Sequence, residues 1–217
     1  GDLTSPSTIL QNHVIDRDAT PNNTSVILRI NPVDGRPSSG NPFQNQAQNN
    51  LVRLPNLDYY YAYGIRNSFG ISFDPITGNL WDTENGEGKF DETNLVKPGF
   101  NSGWYKIMGP VSRNKNFSEN DLVMLNNSTT LGAKFSNNIF IGDINAGDLY
   151  FLKIDDNRSG VRIDPLTLGH TDLSDSVADL QDDVSPVLFA RGFSGRITDA
   201  ETGPDGYLYI LTYSDRR

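Results

Sequence analysis

The chain has 217 residues, which allows one or two domains, and it carries a net charge of −9 at neutral pH. This acidity argues against non-specific nucleic-acid binding, which needs a basic surface. The absence of cysteine excludes disulfides, thiolate zinc sites and cysteine nucleophiles, and the two histidines, His13 and His170, argue against a multi-histidine metal site. No apolar run is long enough to span a bilayer as a helix.

The first predicted strand lies at residues 25–32, where apolar and polar residues alternate in SVILRINP. A polar, turn-rich loop follows at 38–50. Residues 57–63 then contain four tyrosines, which have two interpretations. They could form a stacking platform for a sugar ring, or a half-buried strand, and we favour the strand because strands are rich in tyrosine.

A β-hairpin is predicted around the turn sequence DPITGN at residues 74–79. Before the turn, Phe69, Ile71 and Phe73 alternate with small or polar residues, and a second apolar run begins at Leu80. Proline presets φ in such a turn, and glycine accepts a positive φ. Because one strand leaves a rim and the next returns to it, the outer ends of the two strands should meet.

That rim carries polar residues suited to ligand binding. Arg66 offers a planar fork of donors that suits a carboxylate or phosphate, and Asn67 adds a donor and an acceptor. The loop at 84–92 offers carboxylates and backbone carbonyls, which are the ligands that a hard cation such as calcium prefers. The alternative is that Arg66 pairs with one of these carboxylates and the loop is only solvated.

Two further hairpins are predicted, at 135–154 with a turn at 143–148 and at 199–213 with a turn at 203–206. The segments between them are polar through residue 127 and acidic and loop-like at 161–185. Each of the three hairpins contains an aliphatic–aromatic pair. The pairs are Leu80–Trp81, Ile139–Phe140 and Leu208–Tyr209.

This recurrence predicts an all-β protein of the β-propeller class. A β-sandwich would also supply short strands, but it would not repeat a turn and an aromatic residue in this way. A blade takes about 40–50 residues, so the chain corresponds to about four blades. The abrupt start at Gly1 favours a piece of a larger ring, with 1–217 forming one propeller domain whose N-terminal blades are missing.

The chain contains several Asn-x-Ser/Thr sequences, which are acceptors for N-linked glycans. They begin at Asn22, Asn23, Asn116, Asn126, Asn127 and Asn157. Together with the absence of cysteine, they favour an exported, glycosylated protein located outside the cell or on its surface.

Residues 63–104, with the sequence YGIRNSFGISFDPITGNLWDTENGEGKFDETNLVKPGFNSGW, are similar to the signature region of a known family. This family comprises the soluble, pyrroloquinoline-quinone (PQQ) dependent glucose/sorbosone and aldose sugar dehydrogenases. Two later segments, FIGDINAGDLYFLKI and GRITDAETGPDGYLYILT, resemble further segments of the family in the same order. The resemblance extends from Ser25 to Asp215.

The resemblance implies a six-bladed β-propeller that oxidises an aldose at C1 to the lactone, with hydride passing to PQQ. Calcium would hold and polarise the quinone, and a histidine would remove the hydroxyl proton. The implied partners are a small sugar and an external electron acceptor, with no nucleic acid and no membrane span. The oligomeric state is left open.

The resemblance also assigns roles to individual residues. Arg66, Asn67 and Arg196 would contact PQQ, with Asp2 near it. The backbone carbonyls of Gly86 and Glu87 would ligate the PQQ-bound calcium, and Glu92 with the backbone near Ser102 would form a second, structural calcium site.

The chain departs from the family pattern at several positions. Ile65 replaces a common histidine, Glu87 a proline, Ser102 a tyrosine, and Asn145 stands where some members have a PQQ-binding lysine. The catalytic histidine of the family would lie upstream of Gly1. Two hypotheses therefore stand: a fragment of a PQQ sugar dehydrogenase, or a non-catalytic extracellular propeller that acts as a structural or carbohydrate-binding module.

Overall fold

The computed structural model describes residues 23, 25–44, 56–86, 91–104, 121–124, 132–162, 178, 181–193 and 195–213. The strands in this part of the chain are β1 Val26–Leu28, β2 Tyr60–Tyr63, β3 Ser68–Phe73, β4 Leu80–Glu84, β5 Glu92–Val96, β6 Asp121–Met124, β7 Ile139–Gly142, β8 Leu149–Ile154, β9 Val161–Arg162, β10 Leu188–Ala190, β11 Arg196–Thr202 and β12 Leu208–Tyr213. Short 3-10 helices span Leu57–Tyr59 and Gln181–Val187. The predicted all-β class is confirmed.

The chain divides into two compact units, which are described separately. Unit 1 contains residues 1–67 and 96–111, and unit 2 contains residues 68–95 and 112–217. Whether 1–217 form a single propeller domain stays a prediction. Within the described residues, no helix has the length and apolarity needed to cross a membrane.

Unit 1 is built on the antiparallel pair of β1 and β2, with Val26 opposite Tyr63. The 3-10 helix before β2 buries Leu57, which packs with Phe43, Tyr60 and Tyr63 in a small core. Because Tyr60 and Tyr63 are buried in this core, the interpretation of the tyrosine-rich segment as a half-buried strand is correct.

Residues 99–104 run beside β2 and continue past its end. The Gly99 N–H donates to the Tyr61 carbonyl at 2.8 Å, and the Ser102 N–H donates to the Tyr63 carbonyl at 3.1 Å. Farther along, the Trp104 N–H donates to the Gly64 carbonyl at 3.0 Å. This ladder fixes the position of Trp104 next to the segment that carries Arg66.

The described residues of unit 2 form three sheets. Their strand orders are β3-β4-β5, β6-β7-β8-β10 with β9 on the end of β8, and β11-β12. The three predicted hairpins correspond to the pairs β3–β4, β7–β8 and β11–β12, so all three are confirmed. Strand β6 lies in the stretch that we took as polar, and it supplies the first strand of the middle sheet. The first strands β3, β6 and β11 contact one another in this order.

Strand β7 of the middle sheet is buried on both faces. From β7, Ile139 and Ile141 pack against Trp81 of the first sheet, while Phe140 faces the opposite way and packs with Ile197 of the third sheet. Consecutive residues of a strand point to opposite faces. The continuous apolar run of β7 is therefore the pattern expected for a sheet that lies between two others.

An aspartate begins each of the first two hairpin turns. Asp74 Oδ1 accepts the Ile76 N–H at 2.9 Å, and Asp143 Oδ1 accepts the Asn145 N–H at 2.7 Å. The predicted positive φ is present at Gly78, with a value of 72°. These bonds satisfy backbone donors that would otherwise lack a partner within the turn.

The turn after β8 is joined to the turn after β3 through Arg158. The Arg158 Nε donates to Asp74 Oδ2 at 2.5 Å, and its Nη2 donates to the Asn137 carbonyl at 2.7 Å. In return, the Asn79 side-chain amide donates to the Arg158 carbonyl at 3.1 Å. Burial acts to raise the pKa of Asp74, but the Arg158 guanidinium and the turn donors outweigh it, so the pKa is lowered overall.

Apolar side chains also lie on the exposed surface of unit 2. Phe69, Ile71 and Phe73 are 61%, 54% and 65% exposed. Trp81 packs against the middle sheet, so its neighbour Asp82 points to the opposite face of the first sheet. Ile71 pairs with Asp82 and therefore also lies on the face that points away from the middle sheet. The alternation along β3 is thus as predicted, but its apolar side chains are not part of the core.

We expect Asp74→Asn to lower the free energy of unfolding by about 2–4 kcal/mol, because it leaves the largely buried Arg158 guanidinium without its carboxylate. Chemical denaturation at pH 7 measures this loss. The pKa of Asp74 is lowered in the folded state. The stabilisation by the Asp74–Arg158 pair is therefore fully present at pH values above the ordinary carboxyl pKa, and it is lost as the pH falls through the lowered pKa of the folded state.

Asp156→Asn is the matched control, because Asp156 is exposed and its pair with Arg162 spans 3.8 Å. Its effect should stay within about 0.5 kcal/mol. Equal losses in the two variants would show that the buried pair does not stabilise the contact between the turns.

Candidate functional site

Arg66 is buried in unit 1, with 4% of its surface exposed. Its guanidinium carbon lies over the Trp104 ring, 4.8 Å from the ring centroid. Arginine stacks well on an aromatic face, and this contact restricts the orientation of its donor fork. Arg66 is therefore a preorganised cation rather than a mobile surface side chain.

The residues around Arg66 are held by backbone geometry. Gly64 has a φ of 69° and Asn67 a φ of 45°, both in the left-handed region, which asparagine tolerates better than most residues. Ile65, where the family pattern has histidine, is a buried core side chain whose N–H donates to the Ser25 carbonyl at 3.0 Å. Position 65 thus contributes no polar side chain.

In unit 2, hydrogen bonds between described residues connect the two ends of the loop between β4 and β5. The Gly86 N–H donates to Asp91 Oδ1 at 2.6 Å. At the base of the loop, the Asn94 side-chain amide donates to Glu84 Oε1 at 3.0 Å. The predicted acidic loop is therefore an internally bonded structure in its described part.

A buried acidic face lies beneath this loop. Asp82 and Glu84 are both 0% exposed, and they occupy alternate positions of β4, so they share one face of the first sheet. Burial first, and then the neighbouring carboxylates of Glu84 and Glu92, raise the pKa of Asp82 to about 8, while hydrogen bonding with Asn94 acts in the opposite direction.

The sequence pattern places Asp82 at the polar end of the first hairpin and predicts no role for it. The signal was present, because the strand pattern of LWDTE places Asp82 and Glu84 on the same face as the apolar Leu80. An acidic residue that shares a strand face with an apolar residue and is fully buried indicates a special environment.

Arg196 lies at the start of β11 and is exposed. The next residue, Ile197, donates its N–H to the Asp143 carbonyl at 3.3 Å, so the turn between β7 and β8 lies beside Arg196. Asn145 belongs to the same turn. Burial raises the pKa of the Asp143 carboxyl, its bonds to two turn N–H groups oppose this, and Asp148 adds to the rise.

Gly147 brings this turn close to the segment before β11. It has a φ of 66°, and a Cβ at this position would lie 2.5 Å from the Gly195 carbonyl oxygen. Only glycine fits such an approach without displacing the backbone. The close contact of the two segments therefore depends on Gly147.

The strand register aligns the ends of the first two sheets of unit 2. Glu84 pairs with Ser68 at the start of β3, and Gly142 pairs with Asp121 at the start of β6. Since β3, β6 and β11 are neighbours, we infer that the β4–β5 loop, the β7–β8 turn and Arg196 lie toward one rim of the stack.

The predicted site residues are thus divided between the two units. Arg66, Asn67 and Ser102 belong to unit 1, whereas Gly86, Glu92 and Arg196 belong to unit 2. Asp2 and Glu87 lie outside the described residues. Within the described part of the chain, no three His, Asp or Glu side chains form a group that could hold a metal. A cation at the β4–β5 loop would therefore depend on backbone carbonyls as well as carboxylates.

We expect the stability of the chain, in buffer with a calcium chelator, to fall as the pH rises from about 4 to about 8 and then to level off. The reason is that Asp82 binds its proton more tightly in the folded state, where its pKa is about 8, than in the unfolded state, where it is 3.8. Asp82 contributes at most about 1.4 kcal/mol per pH unit to the change of the unfolding free energy with pH.

Asp82→Asn, which has the same shape and does not titrate, should flatten this profile and be more stable than the unmodified chain at pH 8. Urea unfolding at several pH values measures both effects. The exposed Asp156→Asn should keep the original profile, and an unchanged slope in Asp82→Asn would contradict the assignment to Asp82.

The comparisons of this chain with known proteins agree on one protein family. The family model described as Glucose / Sorbosone dehydrogenase matches residues 16–217. The chain is 25% identical over 208 residues to an uncharacterized protein of Synechocystis and 27% identical over 173 residues to aldose sugar dehydrogenase YliI of Escherichia coli. These matches cover 86% and 70% of the chain.

Among solved structures, the PQQ-bound form of aldose sugar dehydrogenase from Streptomyces coelicolor matches 98% of the chain with a TM-score of 0.59 and 21% identity. The β-propeller class is thereby confirmed. The chain spans 42% and 40% of the lengths of the two sequence relatives and 50% of the Streptomyces chain.

Proposed function

The chain belongs to the glucose/sorbosone dehydrogenase family, and on this premise we propose that it is part of a PQQ- and calcium-dependent enzyme that oxidises an aldose sugar at C1 to the lactone. The observation that carries the proposal is the buried Arg66 guanidinium, whose orientation is restricted by the Trp104 ring. An anionic, planar cofactor such as PQQ fits this group.

Arg66 would bind a carboxylate of PQQ through two parallel hydrogen bonds, the geometry in which guanidinium and carboxylate groups match best. Asn67, directly after it, would add a donor or acceptor to the quinone. Arg196 is a further proposed cation for PQQ, and the β7–β8 turn that contains Asn145 lies beside it. Asp2 remains a proposed neighbour of the cofactor.

The β4–β5 loop would hold the calcium ion through the backbone carbonyls of Gly86 and Glu87. The potential metal ligands among the described residues of this loop are oxygen atoms, which a hard cation prefers. Glu84 is buried at the start of this loop, and the Gly86 N–H donates to Asp91 across its described ends. Glu92 and the backbone at Ser102 would serve a second, structural calcium ion.

When bound, PQQ would supply the acceptor for the hydride of the sugar, and calcium would polarise it. The residues of this chain would orient the cofactor and compensate its negative charge. The resemblance assigns removal of the sugar hydroxyl proton to a histidine upstream of the matched segment, and Ile65 is not a substitute for it. Oxidation is therefore proposed for the longest native form of the protein, with an external electron acceptor.

We further propose that the protein is exported. Asn157 supports this proposal, because its acceptor sequence lies in an exposed turn between β8 and β9. Secretion from a glycosylating host, followed by a mobility comparison with Asn157→Gln, tests whether this site carries a glycan.

The first test is a titration of the longest native form with calcium and PQQ, followed by thermal unfolding and by reduction of a dye when an aldose is added. We expect a rise in melting temperature that needs both ligands, since a ligand that binds only the folded state stabilises it. Dye reduction should then depend on the sugar.

Stabilisation by calcium alone, without sugar oxidation, would favour the second candidate, a non-catalytic propeller that binds carbohydrate or acts as a structural module. The buried apolar side chain at Ile65 is the observation in favour of that candidate. No response of the folded protein to either ligand would overturn the proposed cofactor chemistry.

Arg66→Ala should weaken PQQ binding by about 2–5 kcal/mol, because it would leave a desolvated carboxylate without its partner. Arg66→Lys keeps the charge but loses the fork, so its loss should be smaller. Fluorescence titration of PQQ in the presence of calcium measures both. An unchanged affinity of Arg66→Ala would remove Arg66 from the site.

A further inference from the structure

The outer face of β3, which points away from the middle sheet, carries large apolar side chains. Ile71 and Phe73 lie on this face and are 54% and 65% exposed, and Phe69, at the irregular position of the strand, is 61% exposed. An antiparallel sheet with one face in water usually places apolar residues inward and polar residues outward. Strand β3 has the reverse arrangement.

The side of β3 that faces the middle sheet is made of small residues. Ser72 pairs with Trp81, whose side chain packs against the middle sheet, so Ser72 and the alternate residue Gly70 lie on that side. Such small residues allow β3 to lie close to β6, its neighbour in the middle sheet. The large side chains of β3 therefore take no part in packing against the middle sheet, and they need another partner to be buried.

The same face of the first sheet is already covered over the neighbouring strand. Leu80 and Asp82 pair with Phe73 and Ile71, yet they are only 5% and 0% exposed. The cover thus ends between β4 and β3, so the exposed side chains continue a buried surface. An occupant of the β3 face would extend a contact that is already present over β4.

The third sheet repeats this arrangement on its own outer face. Tyr209, Leu211 and Tyr213 of β12 are each more than half exposed, whereas the alternate residues Leu208 and Ile210 pack against the core shared with the middle sheet. Exposed apolar patches of this kind mark interaction sites. Both outer faces of the three-sheet stack thus have apolar strands that are open to a partner.

We infer that the outer face of β3 is an interface for a further β-sheet of the same protein, formed by residues that lie outside these 217. The occupant would present aliphatic and aromatic side chains, as the middle sheet does toward Trp81, because sheets pack face to face when such side chains interdigitate. The chain spans 42% and 40% of its two sequence relatives, whose remaining residues are sufficient for such a sheet. The inference does not depend on the proposed cofactor chemistry.

Photo-cross-linking in the longest native form of the protein identifies the occupant. Phe73→benzoyl-phenylalanine places a light-activated group on the outer face of β3, and mass spectrometry of the cross-linked peptides locates its partner. We expect a cross-link within one molecule to a residue outside these 217. The same group at Ile76, which lies in the β3–β4 turn and is 59% exposed, is the control and should give no such cross-link.

Thiol labelling measures the burial of the face. These residues contain no cysteine, and Ile71 and Ile76 have similar exposure here, 54% and 59%, so Ile71→Cys and Ile76→Cys form a matched pair. In the longest native form, Ile71→Cys should react with a maleimide about tenfold more slowly or less, because a buried thiol reacts only after local opening. Thermal unfolding establishes that each variant is folded, and Phe73→Cys replaces Ile71→Cys if that variant is not.

Several outcomes would overturn the inference. A cross-link between two copies of the protein would identify a dimer contact, and a cross-link to a residue within these 217 would show that the chain covers the face itself. Equal labelling rates of Ile71→Cys and Ile76→Cys would show that the face is open to solvent. A longest native form with no residues beyond these 217 would leave no occupant. Failure to bind PQQ or calcium would count against the proposed function and leave this inference unchanged.

Discussion

The packing of the middle sheet against both of its neighbours is the interaction on which unit 2 depends. Ile139 and Ile141 fill the space toward Trp81, and Phe140 fills the space toward Ile197. Each fully buried side chain of this kind contributes about 1.5–3 kcal/mol. The rings of Phe135, Phe151 and Phe189 lie around Phe140 with centroids 4.9–5.9 Å away, mostly edge-on or tilted, as aromatic pairs prefer.

The same packing determines which residues lie at the ends of the strands, along the rim of the stack. Gly142 is the last residue of β7. The Ile197 side chain occupies the space that a Cβ at position 142 would need. Strand β11 can therefore approach the middle sheet at its first residues, which include Arg196. The same requirement for close approach recurs at Gly147, so two glycines determine how near Arg196 comes to the β7–β8 turn.

The sequence predicts the hairpins well because their information is local. The turn DPITGN contains its own carboxylate acceptor and its own residue of positive φ, and the structure uses Asp74 and Gly78 in these roles. Strand β6 was not predicted, because its place in the middle sheet is decided by partners that are distant in the sequence. The pairing of Asp74 with Arg158 spans 84 residues, and no local pattern indicates it. The resemblance identified the family, but it did not include Asp82, Asp91 or the Trp104 contact of Arg66.

Strand β4, next to the proposed site, buries polar and charged side chains. Strand β4 has no exposed residue, yet three of its five side chains are polar or charged, and the pKa of Asp82 is raised to about 8. Burial of a carboxyl group opposes folding unless a proton, a hydrogen bond or a cation compensates it. Sequences that break a local rule at one place usually do so where function requires it. The acidic face of β4, the Glu84–Asn94 bond and the bond from the Gly86 N–H to Asp91 all adjoin the β4–β5 loop, which is why the proposed function assigns this loop a ligand-binding role.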